Sequence, residues 1–299
     1  MISFKCRNCG GEISVDAKGE LCCPYCASTF NFSDMDFENY KKFRLDMLNY
    51  LRALADKGDD AQDDAFMSLY AEKVSLRAAD GRNIDVTYLF SFEEDNIMCY
   101  VAKNSVVFIF PAAERGKLTL MQRNLDMLDF PAADMKNLRK YFPDFKSIID
   151  LDGGGVLVAI NKPANVYPLF SLGSLRAEHI AWIVSRMENL CCVFEFSDIT
   201  HNGITINNLF INPATHEAYL YGGWWNACRK TYANSKSDLY AIRKVASLVL
   251  GEHRNDIPDE FKRFLNETPA ADAYSDFERW DYVIEKGFGG HKFIKFSNK

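Results

Sequence analysis

The sequence predicts an α+β protein in which a small cysteine-bearing module and a helical connector precede a larger domain. Two observations lead to this prediction. Four cysteines form two C-x-x-C pairs near the start of the chain, and in the remainder strand-like runs come before mainly helical ones. Strands followed by helices are typical of α+β folds. With 299 residues, 48% of them hydrophobic and 25% charged, the chain is long enough for two domains and a sizeable core.

The four cysteines of residues 1–32 predict a zinc ribbon that holds one structural ion. Cys6 and Cys9 form the first pair, and Cys23 and Cys26 form the second within a small hairpin scaffold. Two such pairs complete the tetrahedral S4 site that Zn²⁺ favours, and four protein ligands leave no open position for chemistry. So short a module buries too little apolar surface to fold alone, so the metal is expected to stabilise it. A redox dithiol is the competing interpretation, and Cys22 is the alternative to Cys23 as ligand.

Charge and hydropathy argue against several classes of protein. The net charge of −6 does not suit a general nucleic-acid binder, and the basic and acidic residues of segment 1–32 cancel. The basic footprint that phosphate neutralisation requires is therefore missing from the ribbon. No apolar run is long enough for a membrane span and no secretory leader is visible, so a cytoplasmic protein is expected.

Residues 33–66 are predicted to form an amphipathic helix and an acidic linker. Ser33 and Asp36 resemble a capping box, and apolar residues recur at helical spacing from Tyr40 to Leu54. Segment 56–60 is acidic and carries a glycine, which indicates a solvated linker. The apolar stripe is expected to dock on the following domain, with docking on a partner as the alternative.

The larger domain is predicted to consist of a β-rich lobe, residues 67–170, and a helical lobe, residues 171–299. Its predicted strands lie at 84–91, 97–102, 106–110, 145–151, 156–160, 208–211 and 217–221. Its predicted helices lie at 118–128, 174–196, 238–250, 259–265 and 274–285. The longest helix carries an apolar stripe that indicates a buried position.

One segment resembles the catalytic loop and following strand of a protein kinase. It is the run His-Asn-Gly-Ile-Thr-Ile-Asn-Asn-Leu-Phe-Ile from His201 to Ile211. The order of elements over residues 80–296 is also kinase-like, and Ser237-Asp238-Leu239 resembles the start of the kinase F helix. The chain is further similar to poorly characterised bacterial and phage kinase-like proteins. The resemblance implies a bilobal kinase-like domain with a nucleotide cleft between its lobes.

The same resemblance implies that the charged parts of phosphoryl transfer are missing. Catalysis by kinases depends on positioning and on carboxylates that hold Mg²⁺ against the phosphates. Gly203 stands at the position of the catalytic base and Gly222 at that of the metal-binding aspartate. Asn208 alone matches a metal-ligand position, and a neutral amide does not replace a carboxylate against a divalent ion.

Two further parts of a kinase differ. The glycine loop is replaced by residues 92–96, which are bulky and acidic and are expected to repel ATP, and the strand 106–110 lacks the phosphate-pairing lysine. Lys103 is predicted to be a turn residue. Between Gly222 and Asp238 the chain is too short for an activation segment with a peptide-docking platform.

Four more residues of the kinase-like region have predicted structural roles. His201 is expected to support the loop, and Asp238 to cap its helix and bind the loop backbone. Trp224 and Trp225 stand where a metal-binding loop is expected. They either fill the vacant nucleotide pocket or pack in the core against nearby tyrosines.

These observations predict a catalytically inactive pseudokinase, without catalytic residues, that acts as a protein-interaction or regulatory scaffold. An unidentified protein is the expected partner, contacted through the ribbon, the helical lobe or both, and a phage or bacterial origin fits the resemblance. Two alternatives stay open. One is a nucleic-acid-associated accessory protein, which the charge does not favour. The other is an atypical nucleotide-dependent transferase, which requires a metal-binding carboxylate that the sequence alone does not reveal.

Overall fold

The computed structural model describes most of the chain from residue 67 onward and isolated parts before it. Described are residues 14–15, 21–22, 29–30, 42, 45–47, 49–50, 67, 69–130, 135–173, 175–292 and 294. The predicted zinc ligands Cys6, Cys9, Cys23 and Cys26 and the acidic linker lie outside these residues. Three short strands before the connector form an antiparallel sheet in the order β1-β2-β3. They are β1 (Ser14–Val15), β2 (Leu21–Cys22) and β3 (Thr29–Phe30). The zinc ribbon itself stays a prediction.

The β-rich lobe is built on a five-stranded antiparallel sheet in the order β6-β7-β8-β10-β9. Its strands are β6 (Phe90–Glu94), β7 (Ile97–Val101), β8 (Ser105–Phe110), β9 (Phe145–Asp150) and β10 (Val156–Asn161). A preceding hairpin of β4 (Glu72–Arg77) and β5 (Asn83–Tyr88) covers one face of the sheet. Helix α1 (Arg115–Asp126) joins the main core on the other face. β10 is therefore apolar on both faces, as its sequence Val-Leu-Val-Ala-Ile requires.

Two boundaries in this lobe differ from the prediction. The run 84–91, expected to be one strand, divides at Leu89 into β5 and β6. β4 was not predicted, because most of its side chains face solvent and it carries little apolar alternation. The hairpin of β4 and β5 therefore precedes strands β6 to β10, whose order along the chain agrees with the prediction.

The helical lobe is organised around α2 (Ala177–Phe196), most of whose side chains are buried. The other helices are α3 (Ser237–Leu250), α4 (Asp259–Asn266) and α5 (Ala273–Gly287). Five short strands belong to the same region. β11 (Tyr167–Pro168) precedes α2, and four strands lie between α2 and α3: β12 (Ile199–Thr200), β13 (Leu209–Ile211), β14 (Ala218–Leu220) and β15 (Cys228–Arg229). The predicted helices lie within a few residues of those in the structure.

A buried ion pair joins α3 to α5. The Arg243 guanidinium donates from Nη1 to Asp276 Oδ2 at 2.8 Å and from Nη2 to Oδ1 at 2.9 Å. Glu188 of α2 is also fully buried, and burial, followed by repulsion from Asp276, holds the pKa of Glu188 well above its ordinary value. A third buried ionisable group therefore lies near this ion pair.

The described part of the connector is helical and docks on the larger domain. Met47 and Tyr50 are buried, and the hydroxyls of Tyr50 and Tyr167 are 3.0 Å apart. The Tyr70 hydroxyl donates to Asp46, which ties the connector to the segment before β4. Docking within the chain agrees with the apolar stripe predicted for residues 40–54. Over the described parts of the chain, no helix has the length and apolar character needed to cross a membrane.

Candidate functional site

The loop between β12 and β13 is anchored by hydrogen bonds from its backbone amides to a buried carboxylate. Asp238, in the first turn of α3, accepts the amide protons of His201 at 2.7 Å and Asn202 at 2.9 Å. Burial raises the pKa of Asp238 to about 6, although these two amide bonds oppose the rise. Asp238 thus binds the loop backbone as expected, but it does not cap α3, whose N-cap residue is Lys236.

His201 is a buried structural residue at the start of this loop. Its Nδ1 accepts the Gly203 amide proton at 3.1 Å, and its ring stacks on Phe194 and meets the edge of Trp224. Burial lowers the pKa of His201 to about 3, so the ring is neutral at physiological pH. A neutral ring that accepts a backbone proton supports the loop, in agreement with the role expected from the sequence.

Gly203, Gly222 and Gly223 lie in a close-packed region around Asn208. A side chain at Gly203 would begin 3.0 Å from the Gly223 Cα atom. A side chain at Gly222 would begin 1.9 Å from Oδ1 of Asn208, where no real contact is possible. Asn208 itself donates from Nδ2 to the Gly203 carbonyl at 2.8 Å. The Asn208 amide therefore takes up the space that a carboxylate at position 222 needs.

The two tryptophans have different surroundings. Trp224 lies in the core of the helical lobe against Phe142, Phe194 and His201, and its indole donates to the Leu220 carbonyl. Trp225 instead reaches the other lobe and packs edge-on against Phe108 and Phe110 of β8, with ring centroids 5.9 and 5.7 Å apart. Trp225 is thus the tryptophan that fills space between the lobes, while Trp224 packs in the core, though against phenylalanines rather than the tyrosines expected from the sequence.

The hairpin between β6 and β7 closes one end of the cleft. Its two turn residues, Asp95 and Asn96, both have positive φ angles of 52° and 62°. Oδ2 of Asp95 accepts from Trp225 Nε1 at 2.9 Å and from Asn226 Nδ2 at 2.8 Å. Burial alone would raise the pKa of Asp95, but the bonds from Asn226 and Trp225 and the attraction of Lys117 outweigh it and lower the pKa. An ionised carboxylate therefore links the two lobes.

The neighbouring Glu94 points toward the loop of the helical lobe. Its Oε1 is 3.5 Å from the Thr205 hydroxyl, whereas its Oε2 is buried and accepts no hydrogen bond among the described residues. Burial and repulsion from Asp95 raise the pKa of Glu94 to about 7, and the nearby polar side chains of Thr205 and Asn208 offset this only in part. The hairpin between β6 and β7 thus brings a carboxyl group beside Asn208.

A cluster of aromatic rings lies where β6, β11 and the connector meet. Phe170, which follows β11, meets Phe90 and Phe92 of β6 edge-on at 5.7 Å between centroids. Its amide donates to the Ile206 carbonyl of the loop. Tyr167 also contacts Phe90 edge-on, and the ring of the connector residue Tyr50 packs edge-on against Tyr167. Side chains of both lobes and of the connector therefore meet here.

The donor set between the lobes does not fit a magnesium–nucleotide complex of the kinase type. Position 222 has no carboxylate, the amide of Asn208 is packed against it, and Trp225 occupies the side of the cleft next to β8. Within the described residues no group of three or more histidine, cysteine, aspartate or glutamate side chains is placed to hold a metal ion. The four cysteines of the predicted zinc site fall outside that search.

Comparison with known proteins identifies the fold. No family model matches the sequence, and no curated protein matches it. Among solved structures, vaccinia related kinase 3 is similar with a TM-score of 0.51 and 10% identity, over 75% of this chain and 94% of that one. A rhoptry antigen kinase domain of Toxoplasma gondii has a TM-score of 0.49 and 11% identity, over 74% and 89% of the two chains. The larger domain has a protein-kinase-like fold.

The structure gathers most of the residues singled out in the sequence into one region. His201, Gly203, Asn208, Gly222 and Trp225 lie around the loop, and Asp238 holds it from below. Sequence reasoning missed Glu94 and Asp95 as residues of the site, since it treated segment 92–96 only as a substitute that repels ATP. Two acids at the tip of a strand-like hairpin, in the place of a glycine loop, were the available signal.

Proposed function

We propose that the protein is a catalytically inactive pseudokinase that acts as a zinc-ribbon-bearing scaffold for protein interaction or regulation. The observation that supports this best is the packing of Asn208 against Gly222, which leaves no space for a metal-binding carboxylate at that position. Phosphoryl transfer depends on such a carboxylate to hold Mg²⁺ at the phosphates. With Gly203 in place of the base, two charged parts of the reaction are absent together.

The closed cleft supports the same proposal. Trp225 lies against Phe108 and Phe110, and Asp95 bonds across the cleft to the segment that carries Trp225. A nucleotide entering there has to displace close-packed aromatic rings and a charged hydrogen bond. Binding of ATP is therefore expected to be unfavourable, in addition to the missing chemistry.

A binding role is supported by the exposed aromatic residues of the helical lobe. Tyr232 is fully exposed on the short segment that replaces an activation segment, and Tyr240, Tyr274 and Tyr282 are about half exposed on α3 and α5. Tyrosine is enriched in protein interfaces because it offers a large apolar ring with a polar tip. Together with a zinc ribbon, these residues suit a cytoplasmic partner protein, in a bacterium or a phage-infected cell.

A thermal unfolding experiment with ATP and Mg²⁺ tests the loss of chemistry. A ligand present at one hundred times its Kd stabilises a protein by about 2.7 kcal/mol, which raises Tm by roughly 5 to 10 °C for a domain of this size. We expect no such rise with 5 mM ATP and 10 mM Mg²⁺, and no transfer of the γ-phosphate to the protein or to generic substrates. A rise of several degrees that EDTA abolishes would contradict the proposal.

The zinc ribbon is tested separately by metal analysis. We expect one Zn²⁺ per chain in the wild type and less than half of this in the Cys6→Ser, Cys26→Ser double variant, because two thiolates do not hold the ion tightly. The Cys192→Ser variant serves as a control, since this cysteine lies in the helical lobe. Full zinc content in the double variant would show that the four cysteines are not its ligands.

One observation favours the atypical transferase as a second candidate. Glu94 supplies a carboxyl group beside Asn208 in the cleft, and this is the kind of ligand that the sequence did not reveal. If the protein retains nucleotide chemistry, Glu94→Gln removes the Mg²⁺-dependent thermal shift with ATP, whereas the exposed Glu93→Gln leaves it. The pseudokinase proposal expects no such shift in either variant or in the wild type.

A further inference from the structure

The hairpin tip between β6 and β7 is built for contact with the other lobe. A two-residue turn with positive φ at both positions is normally formed by Asn-Gly or Asp-Gly, because glycine adopts this conformation without strain. Here both residues carry side chains, at φ angles of 52° and 62°. The Asn96 amide donates to Glu114 at 3.0 Å, and Asp95 reaches the segment after β14. The contacts of these side chains offset the cost of the turn.

The groups around Asp95 form a set that suits a bound oxyanion. Two N–H donors from the helical lobe, Trp225 Nε1 and Asn226 Nδ2, converge on a single oxygen of its carboxylate at 2.9 and 2.8 Å. The Lys117 ammonium donates to the main-chain carbonyl of Asp95 at 2.7 Å and forms an ion pair with Glu114 at 2.9 Å. Converging donors and a nearby cation are the usual means by which proteins hold carboxylates and phosphates. In this chain the oxyanion is supplied by the protein itself.

The contact of the hairpin with the helical lobe also has an unfavourable free-energy contribution, at Glu94. Closing it places Glu94 against the loop, where Oε2 is buried and receives no hydrogen bond from the residues that the structure describes. A buried carboxyl oxygen without a donor opposes the closed state. Favourable contacts at Asp95 and an unfavourable one at Glu94 therefore act on adjacent residues of the same hairpin.

We infer that Asp95 is a built-in ligand of an oxyanion site made by the side-chain donors of Trp225 and Asn226, and that the hairpin is an autoinhibitory latch over this site. When the latch opens, the Trp225 and Asn226 donors are released to bind an external carboxylate or phosphate group, with the Lys117–Glu114 ion pair nearby. The site lies in the same cleft as the one considered for the proposed function, but the latch does not depend on the loss of phosphoryl transfer. It needs only that Asp95 and an external oxyanion compete for the same donors.

The Asp95→Gly variant tests the latch, because glycine is favoured at the positive φ of this position while the carboxylate is removed. Its matched control is Asn96→Gly, which relaxes the neighbouring turn position but keeps Asp95. The readout is the indole ¹H–¹⁵N signal of Trp225, assigned by its absence in Trp225→Phe. Inorganic phosphate and acetate are added in separate titrations up to 50 mM at constant ionic strength.

We expect a saturable shift of the Trp225 indole signal in Asp95→Gly and at least tenfold weaker binding in the wild type and in Asn96→Gly. A response to phosphate alone, or to both anions, identifies which oxyanion the site prefers. No saturable shift in Asp95→Gly, or an equal shift in the wild type, would overturn the inference. If Asp95→Gly does not fold, Asp95→Ala replaces it, since alanine also removes both acceptor oxygens of the side chain, and the same two results decide the question.

Discussion

Replacing Gly222 with alanine measures how firmly the Asn208 amide occupies the space beside residue 222. The φ angle of Gly222 is not in the left-handed region, so the backbone accepts alanine, and the cost arises from space alone. The new Cβ atom would lie 1.9 Å from Asn208 Oδ1 and 2.7 Å from its Cγ atom. Asn208 must therefore move, and it loses its 2.8 Å bond to the buried Gly203 carbonyl.

The expected cost is the sum of two effects. Overpacking in a close-packed interior costs about 1–3 kcal/mol. Leaving a buried carbonyl without its donor costs a further 1–3 kcal/mol, roughly. Gly222→Ala is therefore expected to lower the free energy of unfolding by about 3 kcal/mol. In an Asn208→Ala background only the Cβ atom of residue 208 remains, at 3.3 Å, so there the same change should cost less than about 1 kcal/mol.

Urea unfolding of the four proteins in this double-mutant cycle measures the cost. Gly116→Ala is the control, because a Cβ atom added to this exposed glycine of α1 would meet no other atom within 4 Å, and alanine favours a helix. A coupling energy of about 2 kcal/mol between positions 208 and 222 is expected. A cost for Gly222→Ala below about 0.5 kcal/mol, or one unchanged in the Asn208→Ala background, would refute the steric account.

Three other changes test the cleft, the core and the connector. The pKa of Glu94 is raised from 4.5 to about 7, so the folded protein loses stability as the pH rises from about 4.5 through 7. Glu94→Gln should abolish this loss. Its free energy of unfolding should be about 2 kcal/mol higher than that of the wild type at pH 8 and nearly equal to it at pH 4.5. Asp276→Asn leaves the buried guanidinium of Arg243 without its counter-charge and should cost about 3–5 kcal/mol in urea unfolding. Tyr50→Phe removes the hydroxyl that meets Tyr167 and should lower stability by about 1 kcal/mol.

Each of these results has a control. Glu93→Gln changes an exposed neighbour and should leave the pH dependence intact, so an equal effect of both glutamine variants would contradict the role of Glu94. A cost below about 1 kcal/mol for Asp276→Asn would mean that the ion pair is not buried in solution. An unchanged stability of Tyr50→Phe would mean that the connector does not dock at Tyr167.

The sequence was most informative where a periodic pattern is long or a residue acts within its own segment. α2 and α5 were predicted closely because their apolar stripes run over many turns. The link between His201 and Asp238 was expected from the motif in which each stands. β4 was missed because its exposed side chains leave little trace of a sheet in the sequence.

The remaining parts of the site depend on contacts between distant segments. Asp95 and Trp225 are 130 positions apart, and neither neighbourhood indicates that they bond. The contact of Asn208 with Gly222 likewise follows only once β13 and β14 are paired. The glycines at positions 203 and 222 could be compared with a kinase motif residue by residue, because that comparison needs only the local sequence. The side chains that pack around them could be recognised only in the folded chain.

The way Asp238 holds the loop bears on how such domains change over evolution. Its carboxylate accepts hydrogen bonds from main-chain N–H groups, which every residue except proline possesses. The anchoring therefore does not depend on the side chains of the loop. Drift at positions 202 and 203 can then erase a reaction while leaving the curve of the backbone intact. The course of the loop backbone is therefore set independently of any reaction that the loop side chains could carry out.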